Sequence, residues 1–208
     1  MRGLMLKDFY AIKDALLIPL ILMFVIGVVL SVVSSPWLLI VIAGTSFGMM
    51  AVMSIQSDKT AQWDKFCATL PVSRIQSASS KYGLYVLLSL FGILVATVIC
   101  IIASMILSSF ELSAVYVNVS FALILAFLPA SVNIPSSFLL DGEKSIAGII
   151  LSYVVTALAI AGLRTLLGYY MNIEENLLLL YGVVAAFSVV VYILSWIICP
   201  RWLSRKEL

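Results

Sequence analysis

The chain has 208 residues, of which 63% are hydrophobic and 11% charged, and it contains no histidine. Ordinary globular domains carry roughly 25% charged residues, so this composition excludes a soluble domain with a single hydrophobic core. The lack of histidine also excludes zinc-protease helices and Ser-His-Asp triads.

The first predicted element is an amphipathic helix in residues 1–14. Met5, Phe9 and Ile12 recur at helical spacing on one face, with Lys7 on the opposite face. This pattern is typical of a helix that lies in the membrane interface before the chain enters the bilayer. The alternative is a simple charged flank of the first span, with a frayed helix end and no interfacial helix of its own.

Six stretches are long and apolar enough to cross a bilayer, which takes about 20 residues of helix. No ionisable side chain lies between Asp14 and Asp58, and residues 34–36 divide this gap into a helical hairpin. The predicted spans are residues 15–33, 37–55, 82–107, 112–140, 145–163 and 177–198. Their apolar runs do not alternate as barrel strands do. The predicted fold is therefore all-α, with one integral membrane domain over residues 1–208.

The lysines and arginines orient these spans, because cytoplasmic loops carry an excess of them. With the N-terminus inside, every lysine and arginine except Arg164 falls on the cytoplasmic side. Both ends of the chain are therefore predicted to be cytoplasmic, and the protein is placed in the plasma membrane with several passes. This asymmetry explains the basic residues of a chain whose net charge is +2, so no nucleic-acid partner is needed to explain them.

Glycines within the second span predict close helix packing. Gly44 and Gly48 are four residues apart, a spacing that lets another helix approach closely. The partner helix belongs either to the same chain or to a second copy of it.

The longest polar segment, residues 56–81, joins the second and third spans. Within it, Trp63, Phe66 and Leu70 fall on one helical face before a proline ends the pattern. We therefore predict a short cytoplasmic helix over residues 58–70. Its aromatic face packs on the membrane interface or the neighbouring spans, its polar face docks a partner, or both.

The fourth span carries polar residues and prolines that interrupt its apolar run. The residues concerned are Asn118, Pro129, Asn133 and Pro135. A proline removes one backbone donor, and its ring clashes with the carbonyl one turn earlier in the helix. We therefore expect a kink or break near the cytoplasmic half of the fourth span. Such breaks mark substrate sites in some transporters, although prolines are also ordinary in membrane helices.

The six spans contain no acidic or basic residue away from their ends. Ion-coupled transporters commonly place ionisable groups at membrane depth, whereas sodium coupling through carbonyls and hydroxyls needs none. If the chain drives transport, its energy is expected to come from a partner that hydrolyses ATP and docks on the 56–81 segment.

The residues at the start of the chain and around the polar segment resemble those of ABC-2 type permeases of Gram-positive bacteria. The stretches concerned are MRGLMLKDFY at 1–10, DKFCATLPVSR at 64–74 and SKY at 80–82. Span count and loop lengths extend the resemblance over nearly the whole chain. Among such permeases, the chain is similar to short exporters of amphipathic peptides, including phenol-soluble modulins and lantibiotics.

The resemblance implies a half-transporter in which two six-helix permeases, identical or paralogous, pair above two separate ATPase subunits. ATP and magnesium would bind in those subunits, and this chain would hold no cofactor or metal and would not itself be catalytic. The substrate would be an amphipathic peptide or another hydrophobic compound. The coupling residues implied by the family pattern are Asp58, Trp63, Asp64, Lys65 and Phe66, with Arg74 at the exit of the coupling segment.

Two other classes of function are compatible with the residues. A non-transporting membrane scaffold or immunity protein would bind a cytoplasmic partner through the same segment. A membrane-embedded enzyme is disfavoured, because the spans offer no acid, base or metal ligand.

Overall fold

The computed structural model describes residues 2–13, 15–33, 36–63, 73–106, 110–140, 143–169 and 177–205. These residues form seven helices and no strand, which confirms the all-α prediction for the described part of the chain. The helices are α1 (Arg2–Ile12), α2 (Leu17–Val33), α3 (Leu38–Thr60), α4 (Arg74–Ile106), α5 (Leu112–Leu139), α6 (Glu143–Gly168) and α7 (Leu177–Arg205).

Five of the helices in the described ranges, α3 to α7, are long and apolar enough to cross a membrane. Helix α2 has 17 residues, at the lower limit of roughly 17–25 for a span. A sixth span results if α1 and α2, which are bent by 60° at the break between them, are taken together. A multi-pass helical membrane protein is therefore established, while the count of six and the orientation stay predictions.

The ends of two helices differ from the predicted spans at the polar segment. Helix α4 begins at Arg74, well before the predicted start at 82, because a capping box fixes its first turn. Ser73 Oγ accepts a hydrogen bond from the Gln76 backbone N–H at 3.2 Å, and Gln76 Oε1 accepts one from the Ser73 N–H at 3.4 Å. Helix α3 continues to Thr60, so residues 58–60 form its last turn and do not open a separate helix.

The core lies where α3, α4, α5 and α7 pack together. Its centre is aromatic: the rings of Phe127 and Tyr192 are 5.1 Å apart, and Tyr82 stacks on Trp196 with planes 7° apart. Helix α6 packs mainly on α5, and only 17% of its apolar span is buried within the chain. Most of its apolar surface is therefore left for lipid or another protein.

Three glycines allow α3 and α4 to pack closely. A Cβ on Gly44 would lie 2.7 Å from Ile93 Cγ1, and one on Gly48 would lie 2.7 Å from Tyr85 Cζ. Gly92 on α4 faces α3 in the same way. The close approach that the sequence predicts for Gly44 and Gly48 is therefore made within this chain.

Helix α5 runs unbroken through both of its prolines, so the expected break is not observed, while a kink stays a prediction. Side chains of neighbouring helices supply hydrogen bonds near the prolines. Pro135 has no N–H to donate to the carbonyl of Ser131 one turn earlier. Ser195 Oγ, on α7, donates to that carbonyl at 2.7 Å. The hydroxyl of Tyr85, on α4, donates at 2.7 Å to the carbonyl of Ala126, within the turn that precedes Pro129. Helix α5 is thus continuous and is held by side chains of α4 and α7.

We expect Gly92→Ala to destabilise the fold, because its Cβ would lie 2.8 Å from the backbone carbonyl oxygen of Ala43. Overpacking of this kind costs about 1–3 kcal/mol. Thermal unfolding of the purified protein in detergent measures the loss. Gly162→Ala is the matched control, since nothing lies within 4 Å of that Cβ and alanine is the better helix former. Equal midpoints for the two variants would contradict the close α3–α4 contact.

Candidate functional site

Four charged side chains from three helices meet at one end of the helix bundle. Lys7 and Asp8 come from α1, Asp58 from the last turns of α3, and Lys81 from the start of α4. Lys7 Nζ lies 2.8 Å from Asp58 Oδ1 and 3.0 Å from Asp8 Oδ1. Lys81 Nζ lies 2.8 Å from Asp8 Oδ1 and 2.5 Å from Asp58 Oδ2. Each lysine thus pairs with both aspartates, and this ion-pair cluster is neutral overall.

The ion-pair cluster is buried most deeply at Asp8 and Lys81. Their side chains are 2% and 4% exposed, and an unpaired charge at such depth costs several kcal/mol. The ammonium group of Lys81 has three donors. Its partners are the carboxylates of Asp8 and Asp58 and the hydroxyl of Ser54, which accepts a hydrogen bond at 3.1 Å. The arrangement therefore satisfies both the charge and the hydrogen-bonding capacity of Lys81.

Lys7 connects the ion-pair cluster to the chain that leaves α3. Its ammonium nitrogen lies 4.0 Å from the ring centroid of Trp63, a cation–π contact. Gln62 turns the chain with a φ of 52°, in the left-handed region, just before Trp63. Burial lowers the pKa of Lys7, but its hydrogen bonds with Asp58 and Asp8 more than offset this, so the pKa is raised overall. Lys7 therefore remains a cation at neutral pH.

A second set of contacts ties the end of α3 to the C-terminus of α5 and the first turn of α6. Gln56 Nε2 donates to Ser145 Oγ at 2.5 Å, and Lys59 Nζ donates to the backbone carbonyl of Leu140 at 2.9 Å. That carbonyl is at the C-terminus of α5, where backbone acceptors lack partners within the helix. The last two turns of α3 thus contact α1, α4, the C-terminus of α5 and the first turn of α6 at one end of the bundle.

The structure places only some of the predicted coupling residues. Asp58 is at the centre of the ion-pair cluster, and Trp63 lies against Lys7. Arg74 is the first residue of α4. Asp64, Lys65 and Phe66, with the rest of the predicted helix up to residue 70, lie outside the described residues.

The polar residues predicted for a translocation path make contacts within the chain. Asn118 Nδ2 donates to the backbone carbonyl of Ala114 at 2.8 Å, within α5 itself. Asn133 is 1% exposed, and its Nδ2 lies 3.4 Å from Met49 Sδ on α3. Pro129 is also fully buried, while Pro135 is partly exposed. These residues contribute to packing in this structure, and a role in a path stays a prediction.

Sequence reasoning missed the pairing of Lys7, Asp8 and Lys81. One signal was present: Asp8 lies at helical spacing from Met5 and Ile12, on the apolar face of α1. A carboxylate on a face that becomes buried requires a cationic partner. The identity of that partner, 73 residues away, is visible only in the fold.

We expect Lys81→Met to destabilise the protein strongly, since it leaves two aspartates paired with Lys7 alone. Breaking one side of a buried pair costs about 3–5 kcal/mol. Adding Asp8→Asn to the same variant should recover part of that loss, because the remaining charges balance again. Unfolding midpoints of both single variants and the double variant measure this coupling. Lys13→Met, at an exposed lysine, is the control, and strictly additive effects would argue against a coupled cluster.

Comparison with known proteins supplies the family. No curated protein and no solved structure matches the chain. A family model described as "ABC-2 family transporter protein" matches residues 3–203, from α1 into the last turns of α7. This agrees with the resemblance seen in the sequence and with the multi-pass helical fold. The chain therefore belongs to the ABC-2 transporter family and is a multi-pass protein of the cell membrane.

Proposed function

We propose that this chain is the permease subunit of an ATP-driven exporter, and that the ion-pair cluster transmits the movement that drives export. Membership in the ABC-2 family implies association with a separate ABC ATPase subunit. ATP and magnesium bind in that subunit, which docks on the segment between α3 and α4. The observation that carries the proposal is that the ion-pair cluster joins the helices on both sides of this segment to α1.

The contacts around the ion-pair cluster explain how one docking event would move the whole bundle. A push on the 64–72 segment would reach α1, α3 and α4 together, because four ion pairs of 2.5–3.0 Å hold them. On α3, Gln56 and Lys59 donate hydrogen bonds to Ser145 of α6 and to the carbonyl of Leu140 at the end of α5. From α4, Tyr82 reaches α7, since its hydroxyl is 2.9 Å from Ser195 Oγ and its carbonyl accepts from Tyr192 at 2.8 Å.

The proposed substrate is an amphipathic peptide or another hydrophobic compound. Its support is the absence of ionisable residues from the middle of the predicted spans, which leaves an apolar route. A second permease, identical or paralogous, is proposed to pair with this one and enclose that route. Helix α6 offers an apolar face for such a contact, as 17% of its span is buried within the chain.

The first test replaces two residues of the docking segment. We expect Asp64→Ala/Phe66→Ala to abolish export from sealed vesicles that also contain the ATPase, because the docking contacts are lost. Export and ATP hydrolysis are measured together, and copurification reports ATPase binding. Lys144→Ala, an exposed lysine on α6, is the control for membrane insertion. Unchanged export by the double variant would refute the coupling role of the segment.

The same vesicles separate transport from a purely structural role. If wild-type vesicles hold the ATPase but move no peptide or hydrophobic dye, the chain is a non-transporting scaffold or immunity protein.

The second test addresses the ion-pair cluster itself. Asp58→Asn leaves both lysines with Asp8 alone and loosens α3 from α1 and α4. We expect several-fold less substrate exported for each ATP hydrolysed, while the ATPase stays bound. Glu111→Gln makes the same chemical change at an exposed position just before α5 and should leave the ratio unchanged. An unchanged ratio in Asp58→Asn would show that the movement passes elsewhere.

A further inference from the structure

The hydroxyl of Ser195, on α7, donates its hydrogen bond into another helix. Its acceptor is the carbonyl of Ser131 on α5, at 2.7 Å. Serines elsewhere in the bundle, such as Ser152 and Ser188, donate to the carbonyl three residues earlier in their own helix. The Ser131 carbonyl is the one that Pro135 leaves without a backbone donor. Ser195 therefore supplies from α7 the hydrogen bond that the backbone of α5 lacks.

Tyr82, on α4, holds the oxygen of the same hydroxyl. Its own hydroxyl oxygen lies 2.9 Å from Ser195 Oγ. A serine hydroxyl has one proton, and that of Ser195 goes to the Ser131 carbonyl, so the phenol of Tyr82 is the donor. Hydrogen bonds thus run from α4 through α7 into α5. We call the contacts of Tyr82, Ser195 and the Ser131 carbonyl the serine relay.

Further contacts fix the ring of Tyr82 to α7. It stacks on Trp196 with planes 7° apart, and its centroid lies 5.5 Å from that of Tyr192. The hydroxyl of Tyr192 also donates to the backbone carbonyl of Tyr82 at 2.8 Å. Tyr192, Ser195 and Trp196 are at helical spacing and share one face of α7. A displacement of Tyr82 therefore carries this face of α7, including Ser195, with it.

Tyr82 directly follows Lys81, which belongs to the ion-pair cluster. Lys81 Nζ lies 2.8 Å from Asp8 Oδ1, so the first turns of α4 move with the cluster. Tyr82 itself is 0% exposed and is enclosed by the bundle. A movement of the ion-pair cluster thus reaches the serine relay within one residue of α4.

Pro135 is a point of α5 where bending is cheap. Bending a helix elsewhere in hydrocarbon breaks a backbone hydrogen bond that no water replaces. At Pro135 that backbone bond is missing, and the interhelical bond from Ser195 takes its place. Releasing Ser195 from the Ser131 carbonyl therefore frees α5 to bend there.

A bend at Pro135 moves the end of α5 together with the start of α6. The two pack closely beyond the proline, since a Cβ on Gly148 would lie 2.9 Å from Ser136 Oγ. The carbonyl of Leu140 also accepts from Lys59 of α3 at 2.9 Å. The last turn of α5 is therefore attached to α6 and to the end of α3, on the far side of the proline from the aromatic core.

We propose that Ser195 is a releasable donor for the Ser131 carbonyl, and that α5 bends at Pro135 when movement of α4 withdraws this donor. The proposal rests on the proposed function, because the movement arises at the ion-pair cluster during export. With Ser195 in place, α5 is unbroken, as in this structure. With Ser195 withdrawn, α6 swings with the end of α5 and shifts the apolar face that is proposed to meet the second permease.

The first experiment tests the donor in the purified chain in detergent, without the ATPase. Ser195→Ala should lower the unfolding midpoint by about 2–4 °C, the shift expected for one lost hydrogen bond in a chain of this size. Pro135→Ala restores the backbone N–H, so Ser195→Ala should cost less than half as much in that background. Tyr82 loses the same acceptor in both backgrounds, so the difference reports the Ser131 carbonyl alone.

Ser188→Ala is the matched control for this measurement. Ser188 lies on the same helix but donates within it, at 2.7 Å to the carbonyl of Ala185. Its loss should be the same with and without Pro135→Ala. Equal losses for Ser195→Ala in the two backgrounds would overturn the proposal, because Ser195 would then not replace the missing donor.

The second experiment tests the bend in vesicles that contain the permease and the ATPase. Pro135→Ala makes α5 harder to bend, and Tyr82→Phe keeps the ring but removes the phenol that holds Ser195. Each should give several-fold less substrate exported for each ATP hydrolysed, while the ATPase stays bound. Pro200→Ala changes a proline inside α7 and should leave the ratio unchanged.

The combination of variants separates a bend from a mere packing role. Ser195→Ala should lower the export ratio by itself but add no further loss to Pro135→Ala, because that helix no longer needs the donor. A wild-type ratio in Pro135→Ala or Tyr82→Phe would refute the bend, and so would independent losses that multiply in the double variant. If wild-type vesicles export nothing, the proposed function fails and the bend with it, while the unfolding measurements still decide whether Ser195 supplies the missing donor.

Discussion

The buried pair of Lys81 and Asp8 is the constraint on which the arrangement of this end of the bundle depends. Charges attract strongly where water is excluded, but an unpaired charge there costs several kcal/mol. Asp8 and Lys81 are therefore stable only together, and this fixes α1 against the start of α4. Asp58 adds the end of α3 to the same pair. The ion pairs thus hold the N-terminal helix against the end of α3 and the start of α4.

The middle of the bundle is held by weaker interactions. Its helices meet through glycines, aromatic rings and hydrogen bonds to carbonyls, such as that of Ser195 to Ser131. Interhelical hydrogen bonds in membranes average about 0.6 kcal/mol, well below the cost of separating a buried ion pair. Breaking the ion-pair cluster is therefore expected to cost more than breaking any one of these hydrogen bonds.

Hydropathy predicts the helices of this chain well but predicts poorly where α3 ends and α4 begins. The apolar runs give α3 to α7, because a bilayer demands long uncharged helices. The runs do not reveal that α4 starts at a capping box between Ser73 and Gln76, in a polar stretch. Of the predicted coupling residues, only Asp58 and Trp63 are found at the ion-pair cluster. The rest depends on contacts between residues far apart in sequence, such as the 73 residues between Asp8 and Lys81.

One end of the bundle gathers the features on which function is proposed to depend. Contacts there join α1, the end of α3, the start of α4, the end of α5 and the start of α6. The end of α7 lies beside the start of α4. The positive-inside rule predicts that this end faces the cytoplasm, since every lysine and arginine of the sequence except Arg164 falls on the predicted cytoplasmic side. The ATPase that is proposed to dock between α3 and α4 would then act next to the helix ends that the ion-pair cluster joins.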